Sequence, residues 1–255
     1  MRTKIIAVLL ASACCQLFAG IALAQVVDPG NVAKVWSITP KTGMSEKFEA
    51  AFASHVDWRR KNNDPWHWEV YVQVDGTEVG TYYARSGNHH WADFDGYGGF
   101  EEKATKHWNS TVAQYVANLQ SSLTEVMPEI SNWPEDAPDY RLFLINSYEI
   151  KQGRASQFNR SAQAIVDILK EIKWPYHWAF VDLVSGGAVP GALLVFPSEN
   201  WAGMAEPDPN VFEAVAAKTG EGKAIDMFDA YSDSLASSHA YVLERLPQFT
   251  VEGAK

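Results

Sequence analysis

The chain has 255 residues, with 21 Lys and Arg against 31 Asp and Glu and a formal net charge of −10. An acidic balance with no basic stripe excludes nucleic acid and other polyanions as partners. Hydrophobic residues make up 47% of the chain, enough for a sizeable core, and aromatic residues 13%, which reads first as core and second as pocket lining.

Residues 1–24 have the form of a cleaved export signal. Arg2 and Lys4 give a positive start, Ile5–Ala13 is apolar, and Ala22-Leu23-Ala24 is a small-x-small cleavage site before Gln25. Ser12, Gln16 and Gly20 interrupt the apolar run, and no other run approaches the ~20 residues that span a bilayer. The expected location is periplasmic or secreted, with no membrane partner after cleavage. Cys14 and Cys15 both lie inside this segment, so the mature chain is expected to have no thiol and no disulfide.

From about residue 34 the chain repeats itself at an offset of 110. Sliding 35–92 onto 145–202 without a gap gives 14 identities in 58 positions, where composition alone would give roughly three to five. Pro65-Trp66-His67-Trp68 returns as Pro175-Tyr176-His177-Trp178, and Trp91-Ala92 as Trp201-Ala202. A long period of this kind marks a duplicated structural unit.

In chain order, Lys34–Thr39 is a β-prone run ended by Pro40 and Gly43. From Met44 to about Lys61, Phe48, Phe52, His55 and Val56 recur at helical spacing. His67–Val74 alternates with period two, Asp75-Gly76 is a turn, and Thr81–Arg85 is the next strand. The stretch 87–95 holds His89, His90, Asp93 and Asp95. Adjacent histidines on an extended segment point opposite ways, so it reads as a solvated loop and no metal site is predicted. Val112, Tyr115, Val116, Leu119, Leu123 and Val126 predict a second helix, with Ser110 or Thr111 capping its start.

Pro128, Pro134 and Pro138 mark a linker over 128–139, between a first repeat (25–127) and a second (140–255). The second copy reads as a strand over Tyr140–Ile150, then a helix on Phe158, Ala162, Ile165, Val166, Leu169 and Ile172. Strands over Trp178–Val184 and Gly191–Phe196 follow, and then a helix on Ile225, Phe228, Leu235, Val242 and Leu246, with His239 as a satisfied residue on its stripe. The offset there grows to 116, which implies an insertion of about six residues after Trp201.

Each repeat thus reads β-α-β-β-α. This order, doubled over about residues 34–246, resembles the dimeric α/β-barrel (ferredoxin-like) superfamily in its tandem single-chain form. The resemblance implies an α+β fold in which two tandem ferredoxin-like repeats close their open sheet faces on each other as a pseudo-two-fold α/β barrel. Its members include haem-degrading and quinol-type monooxygenases, chlorite-dismutase-like haem proteins and ligand binders, so fold does not choose the function. The resemblance allows haem; the residues themselves predict no cofactor. Haem-degrading members use an Asn on the first strand seven residues before a Gly, then a Trp and a His around the second helix. Asn146 with Gly153 matches the start of that pattern, but Ala216-Ala217-Lys218 stands where the His belongs. The first repeat has Trp91 and His107 but Trp36 in place of the Asn.

Strand alternation selects the candidates. One face of His67–Val74 is Trp68, Val70, Val72 and Val74, suited to the helix layer. The other is His67, Glu69, Tyr71 and Gln73, which would point into the barrel, where polar groups are costly unless paired. Arg85 on the next strand could pair with Glu69. The candidate ligand-binding residues are therefore His67, Glu69, Tyr71 and Arg85, together with Asn146 and with His177, the repeat mate of His67. The blander reading is a hydrogen-bonded network and a shared strand-start packing unit. No Gly-x-Ser-x-Gly, phosphate loop, His-Glu-x-x-His or cysteine nucleophile is present, and no catalytic residue is assigned. The expectation is an exported monomer or homodimer that binds a small apolar or aromatic molecule in a central barrel pocket. The alternatives are a cofactor-free or haem-dependent monooxygenase-like enzyme, and a periplasmic structural or interaction protein.

Overall fold

A computed structural model describes residues 30–134 and 136–254; the expected export signal lies outside the described residues. The first repeat is β1 (Val32–Pro40), α1 (Ser45–Lys61), β2 (Glu69–Asp75), β3 (Tyr82–His89), α2 (Asp93–Thr111) and β4 (Val116–Val126). The second is β5 (Leu142–Ile150), α3 (Ala155–Glu171), β6 (Ala179–Ser185), β7 (Gly191–Ser198), α4 (Val211–Thr219), α5 (Glu221–Ser232) and β8 (Leu235–Arg245). The eight strands form a closed antiparallel barrel in the order β1-β3-β2-β8-β5-β7-β6-β4. Each half is a ferredoxin-like sheet, β4-β1-β3-β2 or β8-β5-β7-β6. The β2–β8 and β4–β6 seams join them.

Several readings of the sequence are corrected. Residues 116–126 and 235–245 are strands, not helices, so each repeat ends in one more strand than expected. Five consecutive residues in each, 117–121 and 236–240, are exposed. A strand bare on both faces shows no period-two signal, and the chance spacing of Val112, Val116, Leu119 and Leu123 imitated a helix. His239 is accordingly exposed on β8, against Tyr241. The true second helix, α2, starts inside the expected loop and carries Gly96, Gly98 and Gly99. Each glycine costs about 1 kcal/mol of helix propensity. Phe94, Tyr97, Phe100, Ala104 and Trp108, at helical spacing, outweigh that cost by packing on the first core. Ser110 and Thr111 stand at the end of α2, both donating to the His107 carbonyl rather than capping a start. The equivalent strands β4 and β8 are 119 apart, so the insertion is nine residues; in the second repeat α4 and α5 stand in place of one helix.

The repeated Gly43 and Gly153 turn the first strand of each half into its helix at φ +72° and +77°, a left-handed backbone that glycine adopts without strain. Helices lie on the outside of the barrel. In the first half Phe48, Phe52 and Val56 of α1 pack on Ile38, Val70, Tyr82 and Ala84; in the second, Phe158, Ala162 and Val166 of α3 pack on Phe180 and Ala192. Phe48 and Phe158 are both fully buried. The halves also exchange tails. Phe249 and Val251, after β8, sit in the first core, and Ile130, after β4, sits in the second.

Candidate functional site

On β2 and β3 the inward side chains are Glu69, Tyr71, Gln73, Tyr83 and Arg85. Tyr71 and Tyr83 meet Phe143, Ile145, Leu193, Val195, Tyr241 and Leu243 from the other half in the barrel interior. Three of the six expected residues share this wall. The Tyr71 hydroxyl donates to Glu69 Oε2 at 3.1 Å, Glu69 stands directly opposite Arg85, and Nε of Arg245 lies 3.4 Å from Glu69 Oε1. Burial, and then the Glu69 carboxylate, push the Tyr71 phenol well above its ordinary value. The Tyr71 hydroxyl is thus satisfied by Glu69, whereas Arg245 Nε, beside the same carboxylate, has no hydrogen-bond partner among the described residues.

The other three lie apart. His67 precedes β2, is exposed, and its Nδ1 lies 3.4 Å from the Glu252 carboxylate. His177 is half-buried with Nδ1 2.6 Å from the Tyr140 hydroxyl. Asn146 is on the outer, helix-facing side of β5, paired with Leu194 and Ala240. The repeated His-Trp belongs to the tail exchange: Trp68 trades backbone hydrogen bonds with Val251, and Trp178 with Asn132. The indole N–H groups donate to Asp64 Oδ2 (3.1 Å) and to the Ile130 carbonyl (2.8 Å). The six residues do not form one site.

A cavity of about 150 Å³ lies on the opposite face of the same strands, wedged between the sheet, α1 and α2 of the first repeat. Trp36, Ile38, Val70 and Ala84 form its floor; Phe52, His55 and Arg59 reach it from α1; Glu101, Ala104 and Trp108 reach it from α2; Phe249 and Val251 come from the exchanged tail. Lys34 Nζ bonds Glu101 Oε1 at 2.8 Å, tying β1 to α2 at the rim. The lining is largely aromatic and aliphatic, with Glu101, Thr105 and Asn109 of α2 also reaching it; at one end His55 and Arg59, one helical turn apart, face the same way.

That end is ordered by Asp64, whose side chain is 0% exposed. It accepts from Arg59 Nη1 at 2.5 Å, from the Trp66 N–H at 3.0 Å and from the Trp68 indole, while the Tyr97 hydroxyl stands 3.3 Å away. The Arg59 guanidinium lies over the Trp68 ring at 5.0 Å. Its Nε donates to His55 Nε2 at 3.0 Å, and His55 Nδ1 lies 2.9 Å from His107 Nδ1. A guanidinium can only donate, so His55 carries its proton on Nδ1 and passes that hydrogen bond to His107. Burial, then the Arg59 charge, then His107, lower the His55 pKa from 6.5 to about 3, and burial also lowers that of His107. Among the described residues Arg59 Nη2 has no hydrogen-bond partner. The wedge therefore has a guanidinium, its charge already balanced by Asp64, at one end of an aromatic slot.

These residues do not fit a haem. An apolar cavity of ~150 Å³ holds one benzene-sized ring, not a macrocycle, and both nitrogens of His55 are engaged. The second repeat has only His177, bonded to Tyr140, and His239, exposed on β8. The sequence reading missed Arg59, Asp64, Tyr97 and Trp108. The available signal was Arg59 four residues after the buried-face His55, with Asp64 just before the repeated Pro65.

No family profile matches the chain, and no curated protein does. Solved structures do. A "putative monooxygenase" from Lactobacillus acidophilus is 11% identical, with 89% of this chain and 98% of that one covered at a TM-score of 0.53. An anthrone oxidase-like protein is 9% identical over 85% and 92% at 0.51. The chlorite dismutase of Candidatus Nitrospira defluvii is 7% identical over 86% and 92% at 0.51. Likeness at such identities is likeness of fold, and it extends along nearly the whole of each chain. The chain has the dimeric α/β-barrel fold in its tandem, single-chain form.

Proposed function

We propose that the protein binds one small, flat, uncharged aromatic molecule in the wedge of the first repeat. The ring lies among Trp36, Phe52, Trp68 and Trp108, and an oxygen on the ring accepts from Arg59 Nη2. The observation that carries this reading is the state of Arg59: it is held by Asp64 and His55 with one donor left over at a cavity lined mainly by aromatic and aliphatic side chains. Because Asp64 already balances its charge, an anionic ligand would bring an uncompensated charge into a low-dielectric slot. Titration with phenol, followed by tryptophan fluorescence, tests it. Ala84→Leu and Ala104→Leu fill the wedge without touching the polar end, so both should abolish the response while leaving the fold intact. A response undiminished in both would remove the ligand from the wedge.

A second reading, turnover at the same place, is favoured by the hydrogen-bonded line from Arg59 through His55 to the half-buried His107, which connects the cavity with the protein's exterior. The names of the Lactobacillus protein and of the anthrone oxidase-like protein point the same way. Oxidation of an activated ring CH₂ to C=O by O₂ balances without a cofactor: one oxygen atom enters the product and the two hydrogens leave with the other as water. Oxygen uptake with binding-competent substrates, lost in Ala84→Leu, would establish turnover; binding without oxygen uptake would leave a binding protein. We further propose that the chain acts outside the cytoplasm, on the form of residues 1–24.

A further inference from the structure

The wedge is longer than the ring it holds. Its floor can be followed pair by pair across the four strands of the first sheet. Val70 of β2 faces Ala84 of β3, Ala84 faces Trp36 of β1, and Ile38, two residues on, faces Leu119 of β4. All five line the cavity. Three steps between neighbouring strands amount to about 14 Å, whereas a volume of about 150 Å³ encloses a single ring.

The two ends differ. At the β2 end the Arg59 guanidinium lies 5.0 Å over the Trp68 ring, with Nη1 3.0 Å from the Tyr97 hydroxyl and Nε 3.0 Å from His55. Trp68 and Tyr97 are each buried to 4% exposure. At the β4 end stand Leu119 and, one turn apart on α2, Thr105 and Asn109, and all three are exposed. The two helices run antiparallel here, since Arg59 meets Tyr97 while Phe52 meets Trp108, so Asn109 lies at the end of α2 away from Arg59. Along a third side the Lys34–Glu101 ion pair closes the gap between β1 and α2 at 2.8 Å. The slot is thus shut behind Arg59 and open past Leu119.

A ring whose oxygen meets Arg59 points its opposite carbon at that opening. We infer, on the reading of the wedge given above, that the ligand class is a phenol-type ring extended para to its oxygen by an uncharged, linear apolar chain, which leaves the wedge over Leu119 between Thr105 and Asn109. The three side chains at the mouth carry no charge, and Leu119 supplies apolar surface for methylenes to cover. A substituent ortho to the oxygen would instead meet the closed end, where His55, Trp68 and Tyr97 crowd the guanidinium. Full burial of a methylene is worth about fourfold in affinity, and burial on one side about twofold.

Tryptophan fluorescence titrations with phenol, para-propylphenol and ortho-propylphenol test this. The two propylphenols are isomers, so unspecific adherence to apolar surface affects both alike. The para isomer should bind roughly eightfold tighter than phenol, about twofold for each methylene or methyl, and the ortho isomer no tighter than phenol. In Leu119→Ser, a change at an exposed position that keeps the fold, the advantage of para-propylphenol over phenol should shrink to about twofold. A para isomer that binds no tighter than the ortho isomer overturns the inference and leaves the wedge reading standing, and so does an undiminished advantage in Leu119→Ser. If neither phenol nor para-propylphenol binds, or if both still bind in Ala104→Leu, the wedge reading falls and the inference falls with it.

Discussion

The Nδ1 atoms of His55 and His107 lie 2.9 Å apart, and only one of them can hold the proton between them. Arg59 decides which, by occupying the other nitrogen of His55. A one-directional chain of neutral imidazoles results, buried at His55 and half-buried at His107, and it gives the molecule an acid weakness with a definite sign.

The folded His55 pKa, about 3, lies below the ordinary value of 6.5. The unfolded chain therefore takes up a proton that the folded one refuses. This contribution to stability is present above about pH 6.5 and is lost as pH falls toward 3, by up to about 1.4 kcal/mol per pH unit. His55→Gln keeps both bonds, its amide oxygen accepting from Arg59 and its amide nitrogen donating to His107. Urea midpoints measured down to about pH 4 should fall less steeply in this variant; parallel slopes would reject the assigned tautomer.

Asp64 is the only counter-charge bonded to Arg59 among the described residues, and its side chain is wholly buried. Asp64→Asn should cost about 3–5 kcal/mol, because it leaves a buried guanidinium uncompensated. Denaturant unfolding reads this directly. The wedge should also lose its ordered end, so phenol binding should weaken in whatever fraction remains folded.

Two glycines separate backbone strain from collision. Gly153 has φ +77° and nothing within 4 Å of an added Cβ, so Gly153→Ala should cost about 1–2 kcal/mol. Gly186 has φ +87°, and its Cβ would come within 2.2 Å of the Ser121 carbonyl oxygen across the β4–β6 seam. Gly186→Ala should be clearly the worse of the two and should speed amide exchange in β4 and β6. Equal melting temperatures for the two variants would contradict this account of the seam.

Ending the chain after Leu246 removes Phe249 and Val251, which are 6% and 1% exposed in the first core. The loss of the Phe alone is worth about 3–5 kcal/mol. The damage should appear in the first repeat, as altered near-ultraviolet dichroism from Trp66 and Trp68, although the deletion lies in the second.

For the export signal the prediction is a cut site. Protein recovered from outside the cytoplasm should begin at Gln25, read by N-terminal sequencing or intact mass. A chain that retains Met1 there would refute cleavage.

The sequence disclosed what repetition and alternation can disclose. The 110-residue offset revealed two like halves, and the period-two run at 67–74 separated the inward Glu69 and Tyr71 from the outward Trp68 and Val70, as the barrel has them. It failed where local pattern and tertiary context disagree. α2 is a helix despite three glycines because aromatic packing outweighs propensity, and β4 is a strand with no alternation because neither face is covered. The cavity was sought inside the barrel because polarity pointed there; Tyr71 and Arg245 turn to the Glu69 carboxylate instead. The wedge depends on Phe249 and Val251, which come from the far end of the chain, and no local pattern around Arg59 or Trp108 announces them.

The exchange of tails also governs the order in which the molecule can be made. The first core waits for Phe249 and Val251, and β2 waits for β8, so a growing chain has no finished half to lock while synthesis proceeds. Closing the ring is then a late event between distant parts of the chain, the kind of contact that makes folding slow. Until β8 and the segment after it are in place, the first sheet keeps an open edge at β2 and the first core lacks Phe249 and Val251.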